Sequence, residues 1–346
     1  MDLRSGAVQS LFMSAVEFSE LSVRQQRAAL LAIAEKALKA YELRAARIRL
    51  INSGFNATFR VDTNQGEKFA LRININSHRT PANVRAEVAW TEALSREETL
   101  TVARPQETLA GGLIGEVTSE YFNAPRPVVL YSWLGGRDVC DVETPETLWA
   151  TGVAMAHLHT HTREWALPAR ASAPRLDNPL WGAVDRLDDQ HLPLPPADIA
   201  FLRSILDQST TVINRVWQAS EGQLIHADLH TGNMKWLRGR LAILDFDDCG
   251  VGLPVQDLAV ATYYLRDNQE YESALREGYS SIAALPSVSA DDFEWLVAHR
   301  NVLLLTEVAG WVTAEFKAIL PKYAAASVRK LRAFLETGHF SHELSD

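Results

Sequence analysis

Apolar and polar positions divide this chain into two unlike parts. Short strand-like runs prevail up to about residue 134, and long helical stretches prevail beyond it. Ser22 followed by Gln25 is a capping-box pair, and it predicts a helix reaching about Tyr41. Strand-like segments follow at 48–51, 57–61 and 68–73, and Asn64-Gln65-Gly66 turns the last two into a hairpin. Thr80-Pro81 opens a helix to about Ser95, with proline at the first helical position, where its missing N–H costs nothing. Further strands are predicted near 113–118 and 127–132. Residues 1–20 carry little pattern.

Gly135-Gly136 breaks the strand pattern. It predicts a hinge between an N-terminal lobe (residues 1–134) and a C-terminal lobe (residues 135–346). Thr144-Pro145 starts a helix to about His161, and Pro193, Pro195 and Pro196 precede another near 197–219. Short strands at 234–237 and 241–244 flank Gly239. From Val255 onward helices prevail, with breaks expected at Leu285-Pro286 and Leu320-Pro321. Strands before a hinge and helices after it predict an α+β fold with an antiparallel-sheet first lobe and a mainly helical second lobe.

Composition narrows the partners. At 346 residues, 47% hydrophobic and 22% charged, the chain is expected to build an ordinary core over about two domains. A net charge of −9 argues against nucleic acid or an anionic membrane as the main partner. Cys140 and Cys249 make no disulfide framework, and no apolar run of about eighteen residues exists. With no basic-then-apolar leader, the expectation is a cytoplasmic protein.

One segment carries the chemistry. His226, Asp228 and Asn233 stand at offsets 0, 2 and 7, and Asp245 follows twelve residues later within Asp245-Phe246-Asp247-Asp248. Moving a phosphoryl group from MgATP to a hydroxyl needs an acceptor for the proton and oxygen ligands for magnesium. Protein kinases meet that need with the same spacing. Asp228 is the candidate base, and Asn233 and Asp245 are the candidate metal ligands. His226 is expected to organise the loop. Asp247 and Asp248 are candidates for a second metal or the substrate, or are a solvated pair. Asp257 is expected to hold backbone amides of this region.

The nucleotide side is less explicit. Neither G-x-x-x-x-G-K-[ST] nor G-x-G-x-x-G occurs. Ser53, Gly54 and Asn56, in the small polar loop 52–57, are candidates to bring backbone N–H groups to phosphates. Arg72 is a cation on an apolar strand and needs a partner, for which Glu87 on the next helix is the natural choice. Tyr131, Ser132 and Trp133, read as an edge strand at the lobe boundary, are candidates to meet adenine. His157, His159 and His161 lack the acid a zinc motif requires. Trp295, Arg300, Glu307 and Trp311 either line an acceptor pocket or pack the core.

Together these residues resemble the aminoglycoside phosphotransferase-like family, small-molecule kinases with a protein-kinase-like fold. The resemblance spans roughly residues 45–310. It is carried by Leu224-Ile225-His226-Ala227-Asp228-Leu229-His230-Thr231-Gly232-Asn233 and by Ile243-Leu244-Asp245-Phe246-Asp247-Asp248-Cys249-Gly250, with Gln256-Asp257-Leu258-Ala259 after it. The pattern is closest to the homoserine-kinase-like and stress-response-kinase-like branches. The resemblance implies Asp228 as base, Asn233 and Asp245 on magnesium, and Arg72 with Glu87 anchoring phosphates, although arginine stands where the family has lysine. It also implies ATP and Mg2+ as cofactors and a small-molecule hydroxyl as acceptor. A protein Ser/Thr kinase and a non-catalytic nucleotide-binding module are the alternatives.

Overall fold

The computed structural model describes residues 18–54, 56–75, 79–188, 190–310 and 314–343. Phe55, Trp311 and residues 1–17 lie outside the described residues.

The first lobe is a five-stranded antiparallel sheet of β1 (Ala45–Ser53), β2 (Asn56–Thr63), β3 (Lys68–Asn74), β4 (Gly115–Val117) and β5 (Arg126–Ser132), in the order β1-β2-β3-β5-β4. The β2–β3 turn passes through Gly66 at φ +85°, a conformation glycine adopts without strain. Helix α1 (Val23–Ala37) begins at the Ser22/Gln25 capping box, as its sequence predicts. Its Leu30, Ile33, Ala34 and Ala37, spaced to share one helix face, pack against Phe59, Leu71, Ile73 and Leu130. Strand side chains alternate between faces, so Arg72 points away from Leu71 and Ile73, toward the other side of the sheet. There α2 (Pro81–Leu94), capped by Thr80, lays Val84 and Val88 on Val129 and Tyr131. The sheet pleat thus brings Arg72 under the helix that carries Glu87.

Strand β5 is not an edge strand. Beyond β3 on one side and β4 on the other, the chain at 104–106 runs along it. Gln106 N–H donates to Leu130 O (2.7 Å) and Ser132 N–H donates to Arg104 O (2.8 Å). A local run of apolar residues cannot reveal that a distant segment covers its free side.

The second lobe holds α3 (Pro145–Glu164), α4 (Pro196–Gln218), α5 (Pro254–Leu265), α6 (Gln269–Ser280), α7 (Ala290–Ala309) and α8 (Ala314–Thr337). Short strands β6 (Arg137–Asp138), β7 (Gln223–Ile225), β8 (Met234–Leu237), β9 (Arg240–Ile243) and β10 (Gly250–Gly252) form two small sheets, β6-β8-β9 and β7-β10. Helices α3 and α6 touch backbone to backbone. A Cβ at Gly152 would overlap the Leu275 carbonyl oxygen, and one at Gly278 would overlap that of Trp149. Gly152→Ala is therefore expected to destabilise the protein by roughly 3 kcal/mol through overpacking. A lower urea midpoint is the readout, and an unchanged midpoint refutes the close contact.

The break expected at Leu320-Pro321 is absent, because Pro321 lies inside α8. Proline there removes one helical hydrogen bond, to the carbonyl four residues earlier. That carbonyl belongs to Lys317, which like Pro321 is exposed, so water can take its place. Downstream, Ala324, Val328, Leu331 and Phe334 remain buried in the core, which holds the helix on course past the proline.

Candidate active site

Strand β7 ends at Ile225 and releases the loop that begins at His226. Ala227 sits in the left-handed region at φ 68°, so two successive N–H groups turn toward one acceptor. That acceptor is Asp257 on α5, which is fully buried and takes His226 N–H (3.0 Å) and Ala227 N–H (2.6 Å). His159 Nε2 lies 3.0 Å from the same carboxylate, and its Nδ1 lies 3.0 Å from Tyr279 Oη. His159 is thus a buried brace, and no group of three or more metal-binding His, Cys, Asp or Glu side chains exists among the described residues.

His226 joins the two halves of the motif. Its Nε2 donates to Leu244 O (2.9 Å), next to Asp245, and its Nδ1 accepts Asp228 N–H (3.3 Å). This pair of partners requires the tautomer protonated at Nε2. The ring also packs against Phe246 at 4.6 Å between centroids.

Asp228 is held from two sides. Asn233 Nδ2 donates to its Oδ2 and to its carbonyl oxygen, each at 2.9 Å. Arg300 Nη2 from α7 donates to its Oδ1. His230 Nε2 stands 3.6 Å from Oδ2, with its ring stacked on Tyr264. Burial would raise the Asp228 pKa, but the Arg300 charge and then His230 outweigh it and hold the carboxyl below its ordinary value.

Asp245 also has left-handed backbone, φ 59° and ψ 64°, which Asp tolerates better than most residues. The turn aims its half-exposed side chain into the interlobe cleft, 4.0 Å from Arg72 Nη1. Loss of solvent raises its pKa first, and Asp228 and Asp248 add to the rise while Arg72 opposes it. Asp247 is pushed well above the ordinary range by burial and by Asp245 and Asp248. Neither Asp247 nor Asp248 belongs to a simply solvated pair. Asn56 Nδ2 donates to Asp247 Oδ2 (2.5 Å), and Arg79 donates to Asp248 Oδ1 (2.9 Å) and to the Asp247 carbonyl (3.0 Å).

Across the cleft, Arg72 Nη2 meets Glu87 Oε2 at 2.5 Å. Tyr131 Oη donates to Glu87 Oε1 (3.1 Å), and its ring lies 5.5 Å from the Arg72 guanidinium. Burial alone would lower the Arg72 pKa, but the Glu87 carboxylate more than offsets it. Arg72→Met leaves a buried carboxylate without its partner, and the expected loss is roughly 3 kcal/mol of stability. A thermal-unfolding midpoint equal to wild type would refute that dependence.

The cleft between these groups has a cavity volume of about 320 Å³. Arg72, Glu87, Tyr131, Ser132, Trp133, Asn233 and Asp245 all line it. Ser53 and Gly54 do not, and loop 52–57 instead contributes Asn52, while Asn56 reaches Asp247. The N–H groups of Ser132 and Trp133 are already used, donating to Arg104 O and to Lys68 O (3.2 Å), so they are not open donors for a base. Thr91, Leu134, Asp138 and Lys235 also line it, with Lys235 Nζ 2.5 Å from Asp138 Oδ1. Nothing local marks these four in the sequence. Trp295 packs on Phe334 in the core. Burial pushes the Cys249 thiol well up, as suits a packing residue.

Asn233 and Asp245 offer oxygen donors only, the chemistry of a hard divalent cation. The pKa values of Asp245 and Asp247 are raised first by burial and then by the neighbouring carboxylates, and a cation there would offset both. The residues therefore fit such an ion.

A profile describing the phosphotransferase enzyme family matches residues 47–290. An amicoumacin kinase of Bacillus subtilis (strain 168) is 24% identical over 202 residues, which is 57% of this chain. The match likewise spans 57% of that protein's length, so this chain covers just over half of its curated relative. Among solved structures, a microcompartment-associated aminopropanol kinase superposes with a TM-score of 0.74 at 24% identity, over 90% of this chain and 100% of the other. An amicoumacin kinase in complex with AMP-PNP and Ca2+ gives 0.68 at 17% identity, over 88% and 95%. These likenesses support a protein-kinase-like fold for this chain, with an antiparallel-sheet lobe followed by a mainly helical one.

Proposed function

This chain belongs to the phosphotransferase enzyme family, and we propose that it transfers the γ-phosphoryl group of ATP to a hydroxyl of a small molecule, with a divalent cation, Mg2+ in the cell. The observation that carries this reading is the loop geometry. Asp228 and Asn233 are hydrogen-bonded to each other, and His226 ties them to the turn that aims Asp245 at the Arg72–Glu87 pair. The membership supports the reading, as does the AMP-PNP and Ca2+ held by one structural relative.

Asn233 and Asp245 would hold the metal, which when bound neutralises charge on the phosphate oxygens. Arg72, braced by Glu87, faces the same cleft and presents a fixed cation to the phosphates. Asp228 accepts the proton of the acceptor hydroxyl. The hydroxyl oxygen bonds to the γ-phosphorus, the bond from phosphorus to the β–γ bridging oxygen breaks, and ADP carries the electron pair away. Positioning and electrostatics supply most of the rate, and the base contributes a smaller part. Residues 1–134 and 135–346 are the lobes assigned to nucleotide and to catalysis with acceptor.

The reading is tested by coupled ADP release with MgATP across amino alcohols, hydroxy amino acids, sugars and aminoglycosides, with γ-labelled ATP followed in parallel. Acceptor-dependent ADP release supports it. Label appearing on protein with no small acceptor would instead identify a protein kinase, and phosphate release without any acceptor would identify a hydrolase.

A further inference from the structure

Beyond α8 the chain doubles back. Gly338 takes a left-handed turn at φ +72°, and residues 339–343 lie against the C-terminal end of α5. Phe340 is fully buried and stacked on Tyr263 at 5.2 Å between centroids, and its N–H donates to Glu294 Oε2 on α7 (3.1 Å). Asp267 Oδ1 accepts from Ser341 Oγ (2.7 Å) and from His342 N–H (3.0 Å). His342 Nε2 lies 2.7 Å from the Tyr263 carbonyl oxygen, and its Nδ1 lies 3.0 Å from Lys330 Nζ. A carbonyl only accepts and an ammonium only donates, so the docked ring is neutral with its proton on Nε2. A second proton would turn an Nδ1–H toward the Lys330 ammonium.

The other contacts of Tyr263 lead to the catalytic loop. Its hydroxyl accepts from Nδ2 of Asn301 (3.0 Å), the residue next to Arg300 on α7. Its ring meets Tyr264 edge-on at 5.2 Å. Tyr264 Oη accepts from Arg300 Nη2 (3.3 Å), and the Tyr264 ring stacks on His230 at 4.3 Å. Arg300 is 3% exposed, so close packing sets where its guanidinium lies, and the same Nη2 holds Asp228 Oδ1. A carboxylate held at both oxygens points one way. Freed at Oδ1 it turns, and a small misplacement of a reacting group costs rate steeply. We propose that Phe340 and His342 are positioning residues for phosphoryl transfer: docked on Tyr263, they hold the Tyr263–Tyr264 pair that keeps Arg300 on Asp228, and protonation of His342 undocks them. The proposal rests on Asp228 being the base of the transfer. The groups facing His342 set the direction of the switch. Burial holds its pKa below the ordinary histidine value, the Tyr263 carbonyl and Asp267 oppose this, and Lys330 and Arg266 reinforce it. Docking is therefore full above about pH 6.5 and weakens as pH falls below it, where the undocked ring takes up a proton more readily.

Turnover is followed as ADP release with an acceptor from the panel above. Phe340→Ala is expected to lower kcat about tenfold with the KM for MgATP unchanged, at a temperature where the variant remains folded. Phe340→Leu, which keeps most of the apolar bulk, is expected to recover most of that loss. In an Arg300→Met background Phe340→Ala is expected to cost less than about twofold more, because the group through which it acts is gone. His342→Gln is the milder variant: its amide can donate to the Tyr263 carbonyl and accept from Lys330, but it takes up no proton. Between pH 8 and pH 5 the wild-type kcat is expected to fall about fivefold further than that of His342→Gln. Without turnover, the wild-type Tm is expected to drop further than that of His342→Gln over the same range. The inference is overturned by wild-type kcat in folded Phe340→Ala, by equal losses with and without Arg300, or by parallel pH profiles of kcat or Tm for wild type and His342→Gln. If Phe340→Ala does not fold, the His342→Gln comparison decides alone. Failure of the underlying reading looks different, since Asp228→Asn would then keep normal transfer to whichever acceptor is used.

Discussion

Asp228→Asn is expected to lower kcat by about a thousandfold while MgATP still binds, because the change removes the proton acceptor and leaves the groups lining the nucleotide cleft in place. Asn matches Asp in size, and its amide oxygen can still accept from Asn233 Nδ2. The amide cannot carry charge, so the ion pair with Arg300 is lost. Arg300 is then left buried without its carboxylate, and some loss of stability is expected alongside the loss of turnover. The two effects are separable. Single-turnover transfer at a temperature where the variant remains folded reports chemistry alone, and calorimetric titration with MgATP reports the cleft. Normal turnover would remove Asp228 from the mechanism.

Asp245→Asn is expected to weaken MgATP binding by about a hundredfold, or roughly 3 kcal/mol. Asn rather than Ala is the informative change, because it tolerates the left-handed backbone at 245 and so leaves the turn intact. The sign of the accompanying stability effect is distinctive. Asp245 and Asp247 hold their protons more tightly folded than unfolded, so their contribution is favourable at low pH. It is lost as pH rises above the ordinary carboxylate range, unless a cation compensates. Added Mg2+ should therefore raise the wild-type Tm more at pH 8 than at pH 5. Asp245→Asn without metal should be no less stable than wild type at pH 8. Unchanged MgATP affinity in the variant, or an equal Mg2+ effect at both pH values, would count against Asp245 as a ligand.

Part of the site is legible in sequence because its parts are local. Asp228 and Asn233 share one short loop, and Asp245 ends the hairpin strand that follows it, so their separation along the chain nearly specifies their meeting in space. Arg72 and Glu87 are fifteen residues apart on adjacent elements. A charge on an apolar strand beside a charge on the next helix is readable from the cost of burying either alone. The strand at 126–132 was readable as a strand but not as a covered one, since the chain at 104–106 gives no local sign that it will lie alongside. Pro321 marks a missing hydrogen bond wherever it falls. Only packing shows that the carbonyl it frees faces water and that α8 continues.

The sequence by itself determined the fold class, the reaction chemistry on offer and the core of the site, because those depend on periodicity, turn residues and short-range spacing. The tertiary structure decided which groups hold that core in place. Arg300, seventy-two residues from Asp228, lands on its carboxylate. Asn56 and Arg79 cross the cleft to Asp247 and Asp248, and Asp257 and His159 brace the loop from two other helices. Such contacts join segments whose approach depends on how α3, α5 and α7 pack on one core. That packing is a property of the whole chain, which no local pattern records.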